Sequence, residues 1–165
     1  MSERTPNTPE RDAAAVRIFP PVVPLVTIFV GVGLNHLWPL DVGSVLPAPE
    51  RYWLGGVIVV GAILGLGLWP VVLFRRSGQS ENPWKPTTSV VDRGPFRLTR
   101  NPMYLQMLLV CVGVAVMLTN AWIVVLTPVC AWGLQRLAIL PEEAYLERKF
   151  GEAYVAYKRR VRRWL

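Results

Sequence analysis

The chain has 165 residues, 52% of them hydrophobic and 18% charged, with a mean hydropathy of +0.34 and a net charge of +7. Soluble domains carry about 25% charged residues and less apolar mass, so the composition excludes a disordered chain and argues against an ordinary cytosolic enzyme. High hydropathy with a basic excess points to a small membrane protein with a positively charged cytoplasmic face.

In chain order, residues 1–17 are polar, carry Arg4, Arg11 and Arg17, and read as a flexible arm. A spanning helix needs about 20 mostly apolar residues. The first candidate is residues 18–38, with Pro20, Pro21 and Pro24 near its start and His36 at the outer interface. It lacks a small-residue cleavage site and exceeds a secretory signal core, so it is not read as a signal peptide. A short loop, Asp41 to Arg51, leads to the second candidate, residues 53–74, which has no charge. Within it Gly61 and Gly65 form a small-xxx-small pair that permits close helix approach. Packing within the bundle is favoured over a dimer face. The third apolar region, Met103 to Leu140, holds only Arg136, and a turn near Thr119-Asn120 divides it into crossings at 103–118 and 121–140.

The expected fold is therefore all-α: a polytopic membrane protein with four transmembrane helices, followed by a C-terminal amphipathic interfacial helix. Residues 18–165 form one membrane-embedded domain. With four spans, every Lys and Arg except Arg51 falls on the side shared by the two termini and the middle loop. That side is the cytoplasm, and the expected location is a prokaryotic inner membrane. Cys111 and Cys130 lie in apolar runs and read as buried small hydrophobes. One His and two Cys do not make a tetrahedral zinc site, so no metal is expected. Gly31-Val32-Gly33 lacks the third glycine and strand context of a dinucleotide fingerprint. No Asp or Glu lies in a span, which counts against a proton-coupled transporter.

The chemistry concentrates in two segments. In the first, Gly94-Pro95 marks a turn and Asn101-Pro102 starts a helix, with Asn as cap and Pro at the first helical position. Arg100 precedes a helix N-terminus that favours a carboxylate or phosphate; taken alone, it reads rather as an anchor to lipid phosphates. The second segment is Pro141-Glu142-Glu143, where Pro141 either opens a new helix or kinks the old one. Helical neighbours point about 100° apart, so the two carboxylates have separate roles. One binds a cationic ligand or pairs with Arg100 or Arg136, and the other faces solvent; both could instead be first-turn acids that complement the helix dipole. Further on, Leu146, Phe150, Tyr154, Tyr157, Val161 and Trp164 recur on one helical face among seven basic residues, with Gly151 as an interruption. That pattern suits a helix lying on anionic lipid headgroups and disfavours nucleic acid as a partner.

Gly94-Pro95-Phe96, Arg100-Asn101-Pro102-Met103-Tyr104-Leu105, an apolar hairpin, Glu142-Glu143-x-x-Leu146 and Phe150-Gly151-x-x-Tyr154-x-x-Tyr157, closed by Arg-Arg-Trp, form an ordered set. Over roughly residues 75–165 the chain resembles the integral-membrane methyltransferases, the isoprenylcysteine carboxyl methyltransferases and phospholipid methyltransferases. The resemblance implies an S-adenosylmethionine-dependent methyltransferase acting on a lipophilic substrate that reaches a cytoplasmic pocket through the bilayer. It implies that the cofactor-binding part is about 85–165, with Asn101, Pro102, Tyr104, Glu142 and Glu143 at the cofactor and Arg100 and Glu142 as catalytic residues. Asn101 stands where the eukaryotic carboxyl methyltransferases have His, and Gln106 where Gly is common, a change expected to narrow the pocket. The substrate's methylated group is a carboxylate, a thiol or an amino headgroup. The alternative is a non-enzymatic four-span scaffold that retains the fold.

Overall fold

A computed structural model describes residues 14–40, 43, 46–78 and 85–165. The arm before residue 14 and part of the Asp41–Arg51 loop thus lie outside the described residues. All regular structure among the described residues is helical. Helix α1 spans Val22–Leu37 and α2 spans Ala48–Arg76. After a short 3-10 turn at Gly94–Arg97, α3 spans Pro102–Leu118, α4 spans Ala121–Phe150 and α5 spans Glu152–Arg160. Helices α2 and α4 are long and apolar enough to cross a membrane, and α1 and α3 are shorter apolar helices. The rest of the chain buries only 11% of the apolar stretch of α2 and 28% of that of α4. Helices inside a soluble core would be mostly covered, so apolar surface left open on this scale suits a membrane protein.

The pairing of helices follows from where side chains are absent. Helix α2 packs on α3, and α1 packs on α4. A Cβ on Gly55 would lie 2.5 Å from the Gly113 carbonyl oxygen, and one on Gly113 would lie 2.9 Å from the Gly55 oxygen. These two glycines let the backbones of α2 and α3 meet. The Gly61–Gly65 pair does not take part, because a Cβ at either would meet nothing within 4 Å. At the hairpin, Thr119 takes a left-handed φ of 49°. The Asn120 side chain then caps α4 through Ile123 N–H at 3.1 Å and donates to Gly31 O of α1 at 3.2 Å. Arg51 Nη1, on the first turn of α2, donates to Thr119 Oγ1 at 2.9 Å and ties that helix to the same end. Cys111 and Cys130 are buried between the helices.

Two prolines are absorbed rather than ending their helices. Pro70 follows a π turn at Ile63–Leu68, and Pro141 follows one at Gln135–Ile139. A proline lacks the N–H of the i−4 bond and its ring crowds that carbonyl, and a wider turn relieves both. Trp69 N–H and Leu140 N–H accordingly reach back five residues, to Leu64 and Gln135. Pro128, deeper in α4, is taken without such a turn. Of the two sequence expectations at Pro141, the new helix is corrected: helical structure runs from Ala121 to Phe150 past it, with the π turn taking up the disturbance.

Two further expectations change. Ala14 and Val16, placed by composition in the flexible arm, are buried. The aromatic stripe of the C-terminal segment is spent inside the protein. Gly151, with φ of +52°, splits it between α4 and α5, and Tyr154, Tyr157 and Val161 form a buried cluster with Val90, Leu146 and Phe150. Arg159 and Arg160 stay exposed on the outer side.

If Gly55 and Gly113 set the distance between α2 and α3, Gly113→Ala forces the backbones apart at a cost of about 1–3 kcal/mol. Thermal unfolding in detergent should show a clear fall in midpoint for that variant. Gly61→Ala should leave the midpoint unchanged or slightly higher, since it adds only helix propensity.

Candidate functional site

The site is assembled at one end of the bundle, where α3 begins and α4 leaves the apolar zone. Pro102 occupies the first turn of α3, where its missing N–H costs nothing. Asn101 holds the cap position, but its side chain caps no helical N–H. It donates instead to Arg163 O at 3.0 Å, and Thr99 Oγ1 donates to the same carbonyl at 2.9 Å. Arg100 N–H donates to Arg162 O at 2.9 Å. Trp164 Nε1 donates to Gln135 Oε1 at 3.2 Å, at the π turn of α4. The last residues of the chain are thus knitted to the start of α3 and to α4.

Glu143 anchors this arrangement. Arg163 binds it with a fork, Nε to Oε1 at 3.1 Å and Nη2 to Oε2 at 2.7 Å. Arg100 Nη1 lies 3.1 Å from Glu143 Oε1 on the other side. The Glu143 side chain is 7% exposed and that of Arg100 10%. A buried carboxylate needs such pairing, because an unpaired charge in this setting costs several kcal/mol. The Arg100 ion pair is one of proximity rather than of alignment. Arg100 Nε and Nη1 are buried and donate no hydrogen bond within the described structure.

One helical step away, Glu142 faces a cleft. Tyr104 O–H donates to Glu142 Oε1 at 2.6 Å. Glu142 lies in α4 two residues beyond Leu140, past the apolar stretch, and is half-buried. Loss of hydration, reinforced by the negative Glu143, pushes its carboxyl up to about 7 against the pull of the Tyr104 bond. The cleft encloses about 850 Å3 including its mouth. Arg100, Asn101, Pro102, Tyr104, Glu142 and Glu143 all line it. The aromatic side chains of Phe74, Phe96, Tyr145, Tyr154 and Tyr157 line it as well. Burial raises the Tyr154 and Tyr157 phenols above their ordinary range, so both remain neutral hydrogen-bonding groups.

The aromatic wall is fastened by long-range bonds. Tyr157 O–H donates to Phe96 O at 2.8 Å, which pins α5 to the 3-10 turn. Phe96 packs on Phe74 of α2 with ring centres 5.2 Å apart. Gly94 allows this contact, because its φ of +57° suits glycine and a Cβ would press on Leu73 at 2.9 Å. Tyr145 O–H accepts from Thr87 N–H at 3.2 Å and from Lys149 Nζ at 3.0 Å, holding the middle loop against α4.

The residues singled out from sequence therefore meet in one place, with changed duties. Glu142 and Glu143 diverge, Glu142 toward Tyr104 and Glu143 toward Arg100 and Arg163. Arg136, the other suggested partner, is exposed. Gln106 does not narrow the cleft; its side chain lies against Gly67 of α2, about where a Cβ there would be 3.4 Å away. Sequence reasoning missed Thr99 and the structural use of Arg163, whose partners lie 64 and 20 residues away. Arg163 was grouped with the lipid-facing basic residues, and no local signal separated it from its neighbours.

The sequence model of the family described as phospholipid methyltransferase matches residues 51–153. An uncharacterized protein of Haemophilus influenzae is 42% identical over 65 residues, which cover 38% of this chain and all of that protein. No solved structure matches the chain.

Removing the anchor should be costly. Glu143→Ala leaves Arg100 and Arg163 facing each other in a buried setting, and breaking such a pair typically costs about 3–5 kcal/mol. Thermal unfolding should fall further for Glu143→Ala than for Arg163→Ala, whose side chain is 30% exposed. Equal and negligible effects would show that the tail is not held by this carboxylate.

Proposed function

The chain belongs to the phospholipid methyltransferase family, and from that premise we propose that it transfers a methyl group from S-adenosylmethionine to a lipophilic substrate delivered by the bilayer. The observation that carries this reading is the convergence on one cleft of the Glu142 carboxylate and the Arg100 guanidinium, whose Nε donates no hydrogen bond among the described residues. A zwitterionic ligand with a separate sulfonium needs both signs of charge within a few ångströms. Glu142 attracts an ammonium or sulfonium, and Arg100, which shares the single Glu143 carboxylate with Arg163, attracts a carboxylate. The aromatic wall offers flat apolar surface to a purine ring.

When bound, S-adenosylmethionine supplies a methyl group on a positively charged sulfur, ready for in-line displacement by a nucleophile. The protein's part is positioning and exclusion of water. Tyr104 holds the Glu142 carboxylate by its O–H, and Glu143, balanced by Arg163, keeps Arg100 at the cleft. A carboxylate or thiolate substrate is a nucleophile as it stands. An amine must first lose a proton, and a carboxyl that titrates near neutral pH is suited to accept it. In this reading all four apolar helices cross the membrane, both termini and the site lie on the cytoplasmic side of a prokaryotic inner membrane, and the exposed Arg159 and Arg160 rest on anionic headgroups.

The decisive experiment is S-adenosylmethionine binding to the detergent-purified protein, by calorimetry and by thermal shift. At 100 times its dissociation constant the ligand should add about 2.7 kcal/mol of stability. Arg100→Ala and Glu142→Ala should each weaken binding by roughly 10- to 100-fold, the worth of a hydrogen bond to a charged group. A folded wild type that binds nothing would sink the reading and leave a scaffold in its place.

The pH dependence carries a definite sign. Below about 7 Glu142 takes up a proton and loses its attraction for a cation. Affinity should be flat above that point and fall by up to about tenfold per pH unit below it. Glu142→Gln should bind weakly with no such slope. The same raised pKa means the ligand-free fold keeps a proton that the unfolded chain releases, so its stability should decline as pH rises from about 4.5 toward 7.

A further inference from the structure

Residues 14–17 precede the first helix, yet they are built into the wall of the site. Ala14 is 4% exposed and Val16 7%, although neither belongs to a helix. Both sit in the buried cluster that contains Tyr104, Ile139 and Tyr145. Ala14 also lines the cleft. Irregular chain buried in this way needs acceptors for its backbone N–H groups. One is supplied by α4, where Arg17 N–H donates to Leu137 O at 3.2 Å.

That acceptor has a specific origin. In an α-helix the carbonyl of residue 137 would take the N–H of residue 141. Residue 141 is proline and has no N–H to give. The proline that sits just beyond the π turn therefore also releases an acceptor to a segment from outside the helix. Three observations converge here: a proline at 141 with no N–H to offer the Leu137 carbonyl, a backbone bond from Arg17 to that carbonyl, and two buried small or β-branched side chains beside that bond.

We propose that residues 14–17 are a strap, hooked to α4 through the Leu137 carbonyl, which closes one wall of the cleft, and that Ala14 sets the room left for a ligand there. The second half rests on reading the cleft as the methyl-donor site. Ala14 has the smallest side chain with a Cβ, and it is buried where it lines the cleft. Each added carbon at position 14 would take space from the ligand.

Two measurements on the full chain test this. In amide hydrogen exchange, the Arg17 N–H should be protected in the wild type, and less so in Pro141→Ala, where a new N–H competes for Leu137 O. Exchange of the wild-type Arg17 amide at the rate of unstructured chain would overturn the strap. In binding titrations with S-adenosylmethionine, Ala14→Gly, Ala14→Val and Ala14→Leu should show affinity falling with side-chain size, by about tenfold or more for leucine, as overpacking predicts. The thermal midpoint of each variant reports whether it folds. A folded Ala14→Leu with wild-type affinity would overturn the wall role. A wild type with a protected Arg17 amide but no affinity for S-adenosylmethionine would refute the methyl-donor reading and support the strap.

Discussion

Glu143 is the constraint on which the site depends. Its carboxylate lies between Arg163 of the tail and Arg100 at the start of α3, on a helix that reaches it only because Pro141 was absorbed by a π turn. Take away the charge and three segments lose their common reference: α4 just past its π turn, the beginning of α3 and the last residues of the chain. A buried ion pair is a poor source of net stability. What it provides here is register. Arg100 is held at the cleft, sharing Glu143 with Arg163, and Glu142 faces the other way, toward Tyr104.

The molecule separates two physical problems along its length. Toward one end the helices are chemically quiet and meet through glycine, with Asn120, Thr119 and Arg51 closing the hairpin by hydrogen bonds. Toward the other end nearly every polar side chain is engaged over long sequence distances. Tyr157 reaches Phe96, Thr99 reaches Arg163, and Tyr145 holds Thr87. Rigid packing in the apolar zone lets the polar end be assembled from loops and a tail without losing position. The cleft is accordingly lined by the middle loop, two helix ends and an N-terminal strap rather than by any single element.

Much of this was legible in the sequence because it rests on local rules. Apolar length gave the helices, Thr119-Asn120 gave the hairpin, and Asn101-Pro102 gave the start of α3. The divergence of Glu142 and Glu143 followed from helical geometry alone. What periodicity could not decide was the destination of a face. The stripe from Leu146 to Trp164 has the spacing of a lipid-facing helix, yet Tyr154 and Tyr157 are buried against Val90 and Phe96. A segment with the right period suits any apolar partner, and only the tertiary fold says which. Asn101 was likewise placed at its cap position correctly, but its amide serves the Arg163 carbonyl, 62 residues away. Bonds of that span leave no trace in spacing.

The continuity of α4 also works as a depth gauge. A helix rises 1.5 Å per residue, and Glu142 lies six residues beyond Arg136, the first charged residue in the apolar run of α4. With α4 as a crossing helix, the carboxylate that faces the cleft stands about 9 Å along it from the level at which charge first appears. Under the proposed function, a continuous helix of this kind would fix the height of the site above the acyl chains. A molecule whose reactive group floats well out in the water, or lies sunk at the midplane, is at the wrong altitude however well its shape fits. Selection by vertical position would then precede any recognition of chemical detail.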